Sequence, residues 1–276
     1  MKLDIDKQPS FPSLQQAADW LAATCHETLD LQQTLRHLAK HQIIPQEAGG
    51  QVVIARHQDQ IKGVILLRPH NAELLIEAGN ASITTTLFKT LALQDCPRRV
   101  FTSGQVKPWL KPLLLDNFAL VREHDQLVMT CQRPPSNGQG RWATQHDRST
   151  LDRYAQAYLA ERGSGNPFLD WTPLLEQKRV AVLEECDRIV SFVKRGRHTP
   201  QYARVLAPFT FPEYRRKGCA YKLLAFFVGE LLRERSAVHL FVDDDNFPAI
   251  ALYQSLGFQP AGHCYTAYFE EKAVEQ

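Results

Sequence analysis

Phe211-Pro212-Glu213-Tyr214-Arg215-Arg216-Lys217-Gly218-Cys219-Ala220 ends an apolar run, turns through three consecutive cations and a glycine, and opens an amphipathic helix. From Tyr221 to Arg233, the residues Leu223, Leu224, Phe227, Val228 and Leu231 recur at helical spacing, which predicts a helix laid on a sheet. The first backbone N–H groups of such a helix lack intrahelical acceptors, and its dipole adds partial positive charge at the same end. Gly218 lets the backbone approach a ligand closely, and Ala220 keeps the turn clear. The stretch therefore reads as an anion cradle of the kind that receives a pyrophosphate.

A second block follows about one helix and one strand later. Val238 to Val242 reads as a short buried strand, followed by Asp243-Asp244-Asp245-Asn246 and a helical stretch from Phe247 to Phe258. Strand, helix, strand, helix is a crossover pattern. Asn246 suits a helix N-cap, Pro248 a first turn and Gly257 a C-terminal stop.

Arg215-x-x-Gly218-x-Ala220 followed by Asn246-x-x-Ala249-x-x-Leu252-Tyr253-x-x-x-Gly257-Phe258 resembles the GNAT superfamily of acyl-CoA-dependent N-acyltransferases, in order and in spacing. The resemblance spans about residues 141 to 270. It opens with Arg141-Trp142-Ala143-Thr144 and His146-Asp147, which are similar to the family's first strand and the entry to its first helix. It implies an α/β fold with a mixed sheet, whose central strands splay apart to admit the acyl thioester of acetyl-CoA.

By the same resemblance, Arg216, Lys217, Gly218, Cys219, Ala220 and Tyr221 offer backbone N–H groups to the diphosphate. The side chains of Arg215, Arg216 or Lys222 serve the phosphate charge. Phe209 and Thr210 lie where the family contacts the acetyl and pantetheine groups. Pro208 departs from the pattern: it has no N–H to donate, so an oxyanion contact falls to Phe209 or Thr210, and the strand around it is expected to bulge. Asn246 is implied to bond the pantetheine arm or the strand end, or else caps its helix. Tyr253 is implied as the acid that protonates the departing thiolate, the other reading being a buried aromatic beside Leu252 and Phe258. Cys219 carries no catalytic expectation. Glu184, Glu185, His198 and Asp243 lie near strand ends and are candidate bases, though for each the reading as a surface charge or cap comes first.

Composition bounds the alternatives. At 276 residues the chain exceeds one average domain and can bury two cores. Its 32 Lys and Arg against 30 Asp and Glu leave a net charge of +2, which argues against a nucleic-acid-binding or anionic-membrane field. The six cysteines, Cys25, Cys96, Cys131, Cys186, Cys219 and Cys264, show neither paired nor zinc spacing, as expected of reduced thiols. Met1 to Asp6 lacks the apolar core of a signal peptide, and no apolar run approaches the roughly 20 residues that cross a bilayer. A cytoplasmic protein without metal, nucleic-acid or membrane partners is expected, and a homodimer is left open.

Gln132 to Gly140 is rich in turn formers and reads as a linker between a domain at 1–131 and a catalytic domain at 141–276. Before it, helices are predicted at Ser13–Ala23, Leu29–Lys40, Ser82–Ala92 and Pro108–Asn117. Strands are predicted at Gln51–Arg56, Gly63–Arg68, Ala72–Ile76 and Arg99–Thr102, with a strand or hairpin over Ala119–Cys131. After it come helices at Ser149–Glu161 and near Pro173–Gln177, a break at Gly163 to Pro167, a hairpin of Val180–Glu184 with Arg188–Lys194, and a strand at Tyr202–Phe211. The two halves repeat one order, so a tandem GNAT-like architecture is expected. The first half is degenerate, because Glu77-Ala78-Gly79-Asn80-Ala81 replaces the cradle. That half is either scaffold or a vestigial ligand pocket. The expected activity is N-acetylation of an amine acceptor by acetyl-CoA; a non-catalytic acyl-CoA sensor is the alternative.

Overall fold

A computed structural model describes residues 2–24, 27–47, 50–68, 72–91, 93, 95–163 and 170–272. Cys25, Ala92 and the predicted break from Ser164 to Pro167 lie outside the described residues.

The first half runs β1 (Asp4–Asp6), α1 (Phe11–Thr24), α2 (Leu29–Lys40), β2 (Gln51–His57), β3 (Gln60–Arg68), β4 (Glu73–Ala78), α3 (Ala81–Leu91), β5 (Arg99–Ser103), α4 (Lys107–Asn117) and β6 (Phe118–Cys131). The second runs β7 (Arg141–Trp142), α5 (Arg148–Arg162), α6 (Thr172–Glu176), β8 (Val180–Glu185), β9 (Arg188–Arg195), β10 (Tyr202–Thr210), α7 (Cys219–Leu232), β11 (Ala237–Asp243), α8 (Phe247–Ser255) and β12 (Gln259–Glu271). The order of helices and strands is the same in both halves, as expected from the sequence. The short β1 and the long β12 were not anticipated, and Ala119–Cys131 belongs to a single strand rather than a hairpin.

The compact units are not contiguous in sequence. The first comprises 1–128, 241–246 and 260–276; the second comprises 129–240 and 247–259. The first unit thus takes in most of β12, which sequence reading placed with the second half. β12 pairs antiparallel with β5 from Cys264↔Ser103 to Tyr268↔Arg99.

In the first unit the strand order is β1-β2-β3-β4-β5-β12-β6; β1–β2, β2–β3, β3–β4 and β5–β12 pair antiparallel, and β4 runs parallel to β5. Alternation along the strands sends side chains to two cores. Leu74, Ile76 and Val100 join α3 and α4 residues such as Leu87 and Leu110 on one face. Leu75 and Phe101 meet Leu31, Leu35 and Leu21 of α1 and α2 on the other.

In the second unit the order is β11-β10-β9-β8-β7. Val180, Val182, Phe192, Phe209 and Phe211 bury against Leu151 and Tyr154 of α5 and Trp171 ahead of α6. The segment 132–140 forms no helix or strand, yet it lies on α7. Gln139 N–H donates to Lys222 O at 2.9 Å, and a Cβ on Gly138 would fall 2.4 Å from Phe226 N, so only glycine permits that approach.

Candidate active site

β10 is broken where Pro208 predicted a bulge. It pairs with β9 through Val205↔Arg195 and Leu206↔Lys194, then resumes at Phe209↔Phe192 and Thr210↔Ser191, so three steps on β10 match two on β9. Ala207 takes the extra place with φ +50°, a left-handed conformation rare for a residue bearing a side chain. Tyr154 of α5 holds the irregularity, its hydroxyl donating to Ala207 O at 2.6 Å. Burial pushes the Tyr154 phenol well above its usual range, so it remains a donor. Its ring stacks on Phe192 at 4.6 Å and meets Phe209 edge-on at 5.6 Å. Sequence reading missed Tyr154; the available signal was the apolar stripe Leu151, Tyr154, Ala155 and Tyr158 on α5.

The parallel pairing of β10 with β11 covers only Tyr202–Arg204 against Ala237–His239. Beyond it, Phe211 N–H donates to Val190 O at 3.1 Å, toward β9. Successive residues of a strand point their N–H groups to opposite edges, which turns the Thr210 N–H away from β9. The Thr210 hydroxyl is 2.8 Å from Ser191 Oγ, which also reaches Phe209 O at 3.0 Å.

The cradle follows. After a single 3-10 turn at Pro212–Tyr214, Arg216 adopts φ +61° and Gly218 φ +78°, and α7 begins at Cys219. Left-handed residues at such short spacing are a feature of backbone turns whose N–H groups suit an anion. The first bond into α7 is Lys222 N–H to Gly218 O at 3.0 Å, so the N–H groups of Cys219, Ala220 and Tyr221 precede the helical ladder. No atom comes within 4 Å of an ideal Cβ on Gly218. The turn is open at Gly218.

The cations around it divide unevenly. Arg215 donates to Thr210 O at 2.9 Å, pairs with Glu161 at 2.5 Å, and lies 5.3 Å from the Phe209 ring centre. Lys222 pairs with Glu185 at 2.8 Å, which raises its pKa. Lys217 donates to Glu213 O at 3.0 Å. Arg216 is exposed and, among the described residues, has no ion-pair partner.

Tyr253 lies on α8, buried at 6% exposure, with its ring 5.9 Å from Phe258. Gly257, at φ +88°, follows the end of that helix. Asn246 belongs with the first unit, and its N–H donates to Asp243 O at 3.0 Å.

Among the candidate bases, Glu184 accepts from Arg141 at 2.8 and 3.1 Å. Arg141 also grips Asp147 at 2.7 and 2.9 Å, and this pairing, against the opposing effect of burial, holds the Asp147 carboxyl below the usual range. Glu185 is taken by Lys222, and Asp243 accepts from Gln126 at 2.9 Å. His198 is different: partial burial and the nearby Arg235 and Arg195 hold its imidazole below the ordinary value. Lys194, opposite Leu206 at the bulge, is also held below its usual value, by burial and then by Arg179.

A β-bulge at Ala207 lies next to a strand-to-helix turn whose first N–H groups precede the helical ladder. The acetyltransferase (GNAT) family model matches residues 145–258. No curated protein matches the chain in sequence. Solved structures share the fold across almost its whole length. A GCN5-related N-acetyltransferase from Sphaerobacter thermophilus aligns with TM-score 0.64 and 15% identity, covering 99% of this chain and 98% of that one. A GNAT-family acetyltransferase from Colwellia psychrerythraea aligns with TM-score 0.57 and 13% identity, covering 97% and 100%. A tandem GNAT protein from the clavulanic acid biosynthesis pathway aligns with TM-score 0.52 and 14% identity, covering 99% and 100%. The chain is therefore similar in fold to a tandem GNAT protein and to two further GNAT acetyltransferases over nearly their whole length.

Proposed function

We propose that the protein is an N-acetyltransferase that moves the acetyl group of acetyl-CoA to the primary amine of a small molecule, amino acid or peptide, by direct attack within a ternary complex. The observation that carries this reading is the cradle. It combines N–H groups ahead of the helical ladder, open space over Gly218 and an exposed Arg216. These groups suit a diphosphate, whose charge is met by dipoles fixed before binding. Held there, the cosubstrate presents its thioester to a neutral amine at close range, which removes most of the entropic cost of encounter. Of the two candidate oxyanion donors, the Thr210 N–H is favoured because it turns away from β9, whereas Phe209, an alternate residue, turns its N–H toward β9. Tyr253 supplies the proton to the departing thiolate, since a phenol with a pKa of roughly 10 stays protonated at neutral pH. Asn246 serves the pantetheine arm.

Among the described residues, Cys96, Cys131, Cys186, Cys219 and Cys264 are free thiols, and no helix is long and apolar enough to cross a membrane. Free thiols support a cytoplasmic setting. A panel of amines, amino acids and short peptides, assayed for CoA release from acetyl-CoA, tests the function. Acceptor-dependent release supports an enzyme. Tight acetyl-CoA binding with no release over the whole panel would instead identify an acyl-CoA sensor.

A further inference from the structure

β4 and β5 are paired in parallel from Glu73↔Arg99 to Ile76↔Thr102, and both strands continue past the last pair. Leu75 and Phe101 face the layer of α1 and α2, so Glu77 and Ser103, each two residues further on, face that layer too. A cavity of about 310 Å³ opens there, bordered by Trp20 of α1, Glu27, Glu77, Ser103 and Gln105. That volume is in the range of small-molecule sites.

Two of its polar groups are deeply buried. Glu77 is 6% exposed and Ser103 is 4% exposed. Among the described residues, Ser103 Oγ has no hydrogen-bond partner. An unpaired buried hydroxyl costs stability, and a bound ligand group would satisfy it. The lining is acidic: it holds two carboxylates against Lys62, whose ammonium donates to Gln60 Oε1 at 2.8 Å. At the start of α3, Asn80 Oδ1 already accepts the Ile83 N–H at 3.0 Å. An anion such as a diphosphate would therefore meet carboxylates and a capped helix. A cation would meet carboxylates beside Trp20, an aromatic residue of the kind that attracts positive charge.

We propose that this cavity binds a small primary ammonium compound carrying a second hydrogen-bonding group, with the ammonium on Glu77 and the second group on Ser103. The site lies within the first unit and does not depend on the acyl-transfer reading. The test is calorimetric titration of the full chain with ethanolammonium chloride, without any acyl-CoA. Sodium propionate and 1-propanol serve as an anion and a neutral compound of similar size. Saturable binding is expected for ethanolammonium alone. Glu77→Gln should weaken it at least tenfold. Ser103→Ala should weaken it severalfold while leaving the melting temperature of the free protein unchanged or higher, because the hydroxyl removed has no partner. Absence of saturable heat, parental affinity in Glu77→Gln, or propionate binding as tightly as ethanolammonium would each overturn the proposal. If Glu77→Gln does not fold, Ser103→Ala decides: parental affinity there overturns it equally. Because no acyl-CoA is used, a negative CoA-release assay leaves this result untouched.

Discussion

Gly218 stands at φ +78° with nothing within 4 Å of an ideal Cβ, so a side chain placed there meets backbone strain but no steric clash with the protein. Gly218→Ala pays only the left-handed penalty of about 1–2 kcal/mol, a fall of about 2–8 °C in melting temperature for a chain of this size. Gly218→Glu pays the same strain and also sets a carboxylate in the open mouth of the cradle. At about 4 Å from a phosphate oxygen, the added repulsion is about 1 kcal/mol in water-like surroundings and about 4 kcal/mol at an effective dielectric of 20. Acetyl-CoA affinity should therefore fall between about fivefold and roughly a thousandfold beyond the alanine variant. Gly218 is exposed, so the gap should narrow as salt is raised. Calorimetric titration of the parent and both variants, each first shown to melt cooperatively, reads these terms separately. A folded Gly218→Glu with parental affinity would refute the cradle as the diphosphate site.

Tyr253→Phe keeps the ring against Phe258 and should lower turnover about 10-fold to 1000-fold with little change in acetyl-CoA affinity. Steady-state rates equal to the parent across the pH range would remove Tyr253 as the acid. Tyr154→Phe strips the 2.6 Å bond from the buried Ala207 carbonyl and should cost about 1–3 kcal/mol in urea denaturation; an unchanged midpoint would show that the bulge stands without it. Asp147, held below the usual carboxyl range by Arg141, adds stability that is present above its unfolded pKa of about 3.9 and is lost as pH falls through the lower folded value. Asp147→Asn should thus cost about 1–2 kcal/mol at pH 7, a figure kept small because Arg141 is 41% exposed, and it should flatten the acid limb below about pH 4. Parallel pH–stability curves for the two proteins would refute the linkage.

The residues from Phe211 to Ala220 and from Asn246 to Phe258 disclosed the turn and the helices α7 and α8, because helix termini, glycine turns and caps are properties of neighbouring residues. Periodicity likewise placed most helices and strands within a few residues. Pro208 foretold the bulge, since a missing N–H cannot continue a ladder, though not the left-handed Ala207 that carries it. What remained hidden depends on residues distant in sequence. Glu161 and Glu185 decide that Arg215 and Lys222 are already paired, leaving Arg216 without an ion-pair partner among the described residues, and no local pattern encodes such partners. Tyr154 reads as one more apolar position on α5 until its hydroxyl is found on a carbonyl 53 residues away. β12 could not be assigned to β5 from its own composition, because strand pairing is a choice among edges that exists only once the sheet has formed. Glu77 and Ser103 look like ordinary strand-end residues. Only the tertiary fold buries both beside one cavity, where an unpaired hydroxyl and a carboxylate acquire chemical meaning.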